Sequence, residues 1–347
     1  MEYNTYYFLL LLILPFIGTI IITPLISRFA VRKNIFDQPG LHKTHYKAKP
    51  LLGGLSIFIC FSIAVLIFLQ VEDKITTLII AALIIVLTGL LDDIYNIKPS
   101  LKLIGQITAA SIVVFGNSYM YNVFIDYFER LYVPSYVVLV LIIGWIVLMI
   151  NAFNLIDGLD GLAVGSAAII LLAMAALSII TSGSPNVLGV QIIGIGTCLG
   201  FLIFNFHPAK IFMGDTGSML LGFVLATTHL FTIKYPFSAQ LVLGSMFIFA
   251  YPALDISYAI FRRICKKESI FKADQGHIHH VLLSMGYSVR KTVLLIYFAN
   301  IIFAAIAVVL LAIDIPARYL LIIGLITSII VIIIFRKLLM ISRHNEI

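Results

Sequence analysis

Long apolar runs broken by short polar stretches fill the chain from end to end. They fall at 6–30, 51–70, 75–91, 101–116, 134–153, 162–182, 187–205, 215–233, 238–260, 292–312 and 316–335. Each holds about 16 to 25 residues, near the length at which a helix rising ~1.5 Å per residue crosses ~30 Å of hydrocarbon. The pattern predicts an all-α, polytopic integral membrane protein of about eleven transmembrane helices, or ten if one run does not cross. A single transmembrane domain over 1–347 is expected. Ten further runs follow the first, and no small-residue cleavage site follows it, so it reads as a retained membrane helix rather than a signal peptide.

Composition agrees. Of 347 residues, 61% are hydrophobic and 11% charged, against roughly a quarter charged in soluble domains. Cys60, Cys198 and Cys265 are too scattered for a disulfide framework or a metal-ligand pair.

Eleven crossings put the termini on opposite sides, so Lys and Arg can be sorted between two sets of loops. One set holds 19 and the other, with Lys74, Arg130, Lys234 and Arg318, holds 4. The excess of positive charge on the inside then predicts an external N-terminus and a cytoplasmic C-terminus. The net charge of +7 is accounted for by basic cytoplasmic loops that orient the chain and attract anionic membrane lipid, so no nucleic-acid partner is called for. The external loop 117–133 carries Tyr119, Tyr121, Phe124, Tyr127, Phe128 and Tyr132, which suits an aromatic belt at the membrane surface rather than catalysis.

The polar chemistry gathers in loops 31–50, 92–100, 154–161, 206–214 and 261–291, all on the cytoplasmic side of that orientation. Asp92 and Asp93 are adjacent at a helix end, with Lys102 beyond them. Such a pair needs a metal, a cation or water, and a solvated helix terminus is the plain alternative. Asn151, Asn154, Asp157 and Asp160 recur every three residues, so a helical stretch sets neighbours on one face. Side chains of this kind beside hydrocarbon are costly without a function. Asn205 and Phe212 precede Met213-Gly-Asp215-Thr-Gly-Ser218, where an Asp at a helix start offers oxygen to a hard cation, or simply a cap. His277, His279 and His280 suit either a metal or phosphate oxygens, and phosphate is favoured because no cysteine lies close. Loop 31–50, with His42, Lys43, His45, Lys47 and Lys49, is what the charge rule alone would produce.

In this order the motifs resemble the polyprenyl-phosphate N-acetylhexosamine-1-phosphate transferases, the group containing the bacterial initiators of wall teichoic acid and enterobacterial common antigen synthesis. Phospho-MurNAc-pentapeptide translocase is a more distant relative. The likeness spans Asp37 to Gly54, Asp92-Asp93 with Lys102, Asn151 to Leu162, Asn205 to Ser218, Pro252 with Asp255 and Arg262-Arg263, and Asp274 to His280. The form His277-Ile-His279-His280 is similar to the GlcNAc-1-phosphate branch, whereas the peptidoglycan enzyme has three consecutive His. His42, where the branch usually has Arg, and Val281, where a basic residue is common, depart from the pattern.

The resemblance implies transfer of a HexNAc-1-phosphate, GlcNAc-1-phosphate above all, from a UDP-sugar to undecaprenyl phosphate at the cytoplasmic face of a bacterial cell membrane, by a homodimer. It implies Mg²⁺, with Mn²⁺ as an alternative, on Asp215 and Asn154 with Asp157 beside them. Asn205, Asp160 and Phe212 would surround the uridine. Asn151, Lys43, His45 and Lys47 complete the expected substrate-binding set. Asp92, Asp93, Asp157, Lys102, His277, His279 and His280 form the expected catalytic set. The competing enzyme is the phospho-MurNAc-pentapeptide transferase. A secondary transporter would instead place its carboxylates near the bilayer midplane between pseudo-symmetric halves, and no internal repeat is evident here.

Overall fold

A computed structural model of the chain describes residues 5–37, 48–233, 237–265, 267 and 276–344. It clusters into two compact units, Met1–Ser238 and Ala239–Ile347.

The first unit contains α1 (Thr5–Arg32), a two-residue antiparallel ladder of β1 (Phe36–Asp37) with β2 (Lys49–Pro50), α2 (Gly53–Phe68), α3 (Asp73–Tyr95), α4 (Pro99–Phe115), α5 (Ser118–Glu129), α6 (Ser135–Ile156), α7 (Leu162–Ile180), α8 (Pro185–Asn205) and α9 (Gly214–Thr232). The second contains α10 (Ala239–Met246), a 3₁₀ turn at Phe247–Phe249, α11 (Ala250–Cys265), α12 (Ile278–Ser284), α13 (Val289–Ala312) and α14 (Ala317–His344). Apart from the ladder, the regular structure among the described residues is helical.

Every apolar run of the sequence falls on one of these helices or, at 238–260, on α10, the 3₁₀ turn and α11 in succession. Among the described residues, seven helical spans are long and apolar enough to cross a membrane, and α2, α4 and Ala317–Ile330 of α14 are shorter apolar helices. The outward faces are apolar too: Ile67, Val140, Leu325 and Phe298 are more than 60% exposed. A water-soluble fold rarely shows so much contiguous apolar surface, and lipid is the solvent that suits it. The chain is a polytopic membrane protein.

The first unit is built around α9, whose residues from Thr216 to Thr232 are all buried. Helices α2, α3, α6 and α7 pack on it. Without an aqueous hydrophobic effect between them, membrane helices associate by close packing, which small residues permit. A Cβ at Gly54 of α2 would sit 2.2 Å from the backbone nitrogen of Gly217, and one at Gly89 of α3 would sit 2.5 Å from the Cα of Thr216. Both approaches hold α2 and α3 against the first turn of α9.

Three boundaries differ from the sequence reading. Asp92 and Asp93 belong to the last turn of α3, so the linker to α4 shrinks to Asn96–Lys98. Asn151 and Asn154 lie on the last turns of α6. The stretch 117–133 is mostly α5. In each case a polar or aromatic residue that looked like a loop signal is held in helix by its backbone ladder.

Candidate active site

The first turn of α9 is the focus of the first unit. Gly214 has φ 71°, a left-handed conformation that a side chain resists, and a Cβ there would lie 2.4 Å from Asp93 Oδ2. This close approach lets Asp93 cap α9 from a different helix. Its Oδ1 accepts the Asp215 N–H at 2.8 Å, and its Oδ2 accepts the Thr216 N–H at 3.1 Å and the Thr216 hydroxyl at 2.6 Å. A carboxylate at the C-terminal end of α3 is disfavoured by that helix's dipole, and the free N–H groups of α9 offset this. Both Asp93 oxygens are therefore committed to holding Asp215 in place.

Asp92, the neighbouring residue, faces a different partner. The Lys102 ammonium of α4 sits 2.6 Å from Asp92 Oδ2 and 2.7 Å from Asp215 Oδ2, bridging the two carboxylates. Asp92 Oδ1 is buried with no hydrogen-bond partner among the described residues. Asn154 donates to Ser218 Oγ at 3.0 Å, and Ser218 donates to the Gly214 carbonyl at 3.1 Å. These bonds tie the end of α6 to the start of α9 and leave the Asn154 Oδ1 without a partner among the described residues.

Asp157, just beyond α6, is half-buried. Burial, and then the charges of Asp215, Asp93, Asp160 and Asp37, push its carboxyl well above the usual carboxylate range. Asp92 and Asp215 thus share one bridging ammonium, and the two carboxylates with Asp93 and Asp157 close by leave oxygen donors for a further cation. Among the described residues no three His, Cys, Asp or Glu side chains form a metal cage by themselves. The oxygen donors fit Mg²⁺ nonetheless, since that ion is usually held by one or two carboxylates, with waters and substrate phosphates completing its shell.

A second polar network lies in the same unit. Asp160 Oδ2 receives the Ala209 N–H at 2.9 Å and lies 3.2 Å from the Lys49 ammonium and 2.9 Å from His207 Nδ1. Asn205 accepts the Gly161 N–H at 3.1 Å and donates to the Ile211 carbonyl at 3.0 Å. Asp160 and Asn205, expected beside the uridine, thus also brace the two turns on which they sit. Phe212 carries the Lys49 ammonium 4.8 Å from its ring centre. Its backbone accepts from Gly53 and donates to Pro50, each at 2.9 Å, so the turn before α9 is clamped to the strand before α2.

Asn151 pairs with Gln106 of α4, donating at 2.7 Å and accepting at 3.4 Å. Gln106 lies one turn after Lys102, and Asn151 one turn before Asn154, so this amide pair fixes α4 against α6 at the level of the site. Sequence reasoning passed over Gln106. Its signal was a lone amide inside an apolar run, four residues from Lys102.

In the second unit, His277 and His279 are buried and their rings lie parallel with centroids 5.8 Å apart. His279 and His280 are tilted against each other at 4.3 Å. Burial, with His280 and His277 adding to it, pushes the His279 imidazole down to about 3. His279 is neutral at ordinary pH, not the imidazolium donor that a phosphate-binding reading would favour. Lys43, His45 and Lys47 lie outside the described residues.

A membrane-embedded fold here gathers four carboxylates, an ammonium and an amide about the first turn of a buried helix, a centre whose set of oxygen donors suits a divalent cation. The profile of glycosyl transferase family 4 matches residues 75–233, which include every member of that centre. Over 299 residues the chain is 36% identical to the probable undecaprenyl-phosphate N-acetylglucosaminyl 1-phosphate transferase of Bacillus subtilis, covering 86% of this chain and 83% of that one. It is 30% identical to the undecaprenyl-phosphate alpha-N-acetylglucosaminyl 1-phosphate transferase of Thermotoga maritima, over 81% of this chain and 84% of that one. It is also 30% identical to the phospho-N-acetylmuramoyl-pentapeptide-transferase of Borrelia hermsii, over 78% and 84%. The chain belongs to this family, the polyprenyl-phosphate N-acetylhexosamine-1-phosphate transferases.

Proposed function

We propose that the protein transfers GlcNAc-1-phosphate from UDP-GlcNAc to undecaprenyl phosphate, giving undecaprenyl-diphosphate-GlcNAc and UMP. The reaction would be the first membrane step of a bacterial cell-envelope polysaccharide. The observation that carries the reading is the Lys102 ammonium bridging Asp92 and Asp215 on the helix end that Asp93 caps. The relatives' names support the acceptor and the transferred group. The basic loops support a site facing the cytoplasm. A homodimer in the cell membrane is part of the reading.

An oxygen of the lipid phosphate attacks the sugar-bearing phosphorus of the donor. A new phosphoanhydride forms as the old one breaks, and UMP leaves with its electron pair, so no separate energy source is needed. A phosphate monoester has a second pKa near ~6 and is mostly dianionic at neutral pH, so the attack needs little base. The unpartnered Asp92 Oδ1 can take a residual proton. Lys102, held between two carboxylates, is placed to meet phosphate oxygens. Asp215 and Asn154, with Asp157 beside them, would hold Mg²⁺, which when bound neutralises the diphosphate charge. Phe212 offers an aromatic face to the uracil, and the likeness to the family supports a catalytic role for His277, His279 and His280.

The competing route forms a phospho-Asp92 intermediate. Initial rates against both substrates separate the two: intersecting lines support direct attack, and parallel lines support the covalent route. The likeness to the Borrelia hermsii enzyme makes UDP-MurNAc-pentapeptide the donor to compare. Purified protein should transfer from UDP-GlcNAc to undecaprenyl phosphate only with Mg²⁺ or Mn²⁺. Transfer from neither donor would overturn the reading, and transfer from the MurNAc-pentapeptide donor alone would move the protein to the peptidoglycan branch.

A further inference from the structure

Ser218 lies three residues after Asp215 on α9, so the two side chains share a face of that helix. It is fully buried, where a hydroxyl needs partners for its one hydrogen and its lone pairs. The hydrogen goes to the Gly214 carbonyl at 3.1 Å, and a lone pair receives the Asn154 Nδ2–H of α6 at 3.0 Å. With its hydrogen spent inside α9, the hydroxyl can only accept from Asn154. Asn154 therefore presents its amino end to Ser218 and turns Oδ1 the other way, where no donor meets it among the described residues.

The two ends of a side-chain amide are alike in shape but opposite in chemistry, since the oxygen can ligate a hard cation and the NH₂ group only donates. Asp157, three residues on from Asn154, and Asp215, beside Ser218, are both acceptors. An Asn154 side chain without a fixed partner would turn its N–H groups toward such carboxylates. A cation arriving there would then meet a donor in place of a ligand.

The spacing that allows the Ser218 bond is set by the helices themselves. Gly222, one turn further along α9, has no room for a side chain: a Cβ there would lie 2.4 Å from the Met149 carbonyl oxygen and 2.7 Å from Ile150 Cα. Ile150 is one turn before Asn154 on α6. The two backbones thus meet one turn from the bond, a close packing that holds Ser218 and Asn154 in register.

We infer that Ser218 is a positioning residue for the divalent cation of the transfer reaction: by accepting from Nδ2 it fixes the Asn154 amide so that Oδ1, rather than the NH₂ group, is left to ligate the ion with Asp215. The inference rests on the reading that puts Mg²⁺ on Asp215 and Asn154.

Mn²⁺ binding to the full-length protein in lipid nanodiscs, read by the electron paramagnetic resonance of the free ion, tests it. Ser218→Ala removes the acceptor with little change of volume, and Mn²⁺ affinity should fall about 10- to 100-fold, as for other residues that orient a metal ligand. Asn154→Asp carries oxygen at both ends and has no wrong orientation. On that background Ser218→Ala should cost no Mn²⁺ affinity.

Unchanged Mn²⁺ affinity in Ser218→Ala would overturn the inference. So would an equal loss in both backgrounds, which would make Ser218 a packing residue of α9, and so would a wild type without a Mn²⁺ site. The expected pattern of affinities in a protein that transfers from no UDP-sugar would instead overturn the transferase reading and leave the role of Ser218 standing.

Discussion

Lys102→Met removes the one ammonium that bridges Asp92 and Asp215. Each carboxylate oxygen lies 2.6 or 2.7 Å from it, so the two oxygens are no more than about 5 Å apart. At an effective dielectric of ~20, two such charges repel by ~3 kcal/mol, and ~1.4 kcal/mol corresponds to a factor of ten. A divalent cation relieves that repulsion once the ammonium is gone. Lys102→Met should therefore bind Mn²⁺ about 10- to 100-fold more tightly, read by the electron paramagnetic resonance of the free ion. Its rate of transfer at saturating Mg²⁺ should fall about 100-fold or more, because a charged donor to the phosphates is lost. Lys102→Arg keeps the charge and should bind the ion as the wild type does. A Lys102→Met protein with unchanged or weaker Mn²⁺ affinity would refute the view that lysine and metal compete for the same carboxylates.

Asp93→Asn keeps one acceptor for Asp215 and loses two bonds to Thr216, each ~1.5–3 kcal/mol when a charged group is involved. The melting temperature in detergent should drop by several degrees together with activity, whereas lost transfer at unchanged stability would make Asp93 a chemical rather than a structural group. The raised Asp157 carboxyl means that the folded protein holds a proton the unfolded chain releases above about pH 4. Stability from this group is thus full at low pH and declines as pH rises toward the raised value. Asp157→Asn should flatten the pH dependence of metal-free melting and raise stability at pH 8 while abolishing transfer, and an unchanged slope would count against it. Gln106→Leu leaves the Asn151 side chain only its bond to the Val147 carbonyl, at a cost of ~1–3 kcal/mol, and should slow transfer, whereas adding Asn151→Leu should restore the melting temperature without restoring the rate.

The helices were legible because lipid imposes length and apolarity on each crossing, and every apolar run maps onto helix. The three-residue repeat of Asn151 and Asn154 was readable for a related reason: helical geometry turns spacing into a shared face. Helix ends were less legible. Asp92 and Asp93 look like loop residues because isolated acids terminate helices poorly at the C-terminal end, and what keeps them in α3 is a lysine and a helix start more than a hundred residues away in one case. The same distance hid the role of Asp93, because adjacent acids carry no mark of which faces Lys102 and which caps α9. Gln106 was obscured by its own run, and the pairing of Asp255 with His277 required a contact that only tertiary structure supplies.

The β1–β2 ladder pins Asp37 to Lys49 and so closes the segment 38–48 at its base. Lengthening a closed loop is cheap, ~0.6 kcal/mol for each doubling, and the clamp between Phe212 and Pro50 holds the base whatever length lies above it. Descendants of this sequence can therefore rebuild that segment by insertion or deletion without disturbing Asp215 or Lys102. The ladder and the clamp together thus tether the two ends of that segment to the turn that carries Asp215.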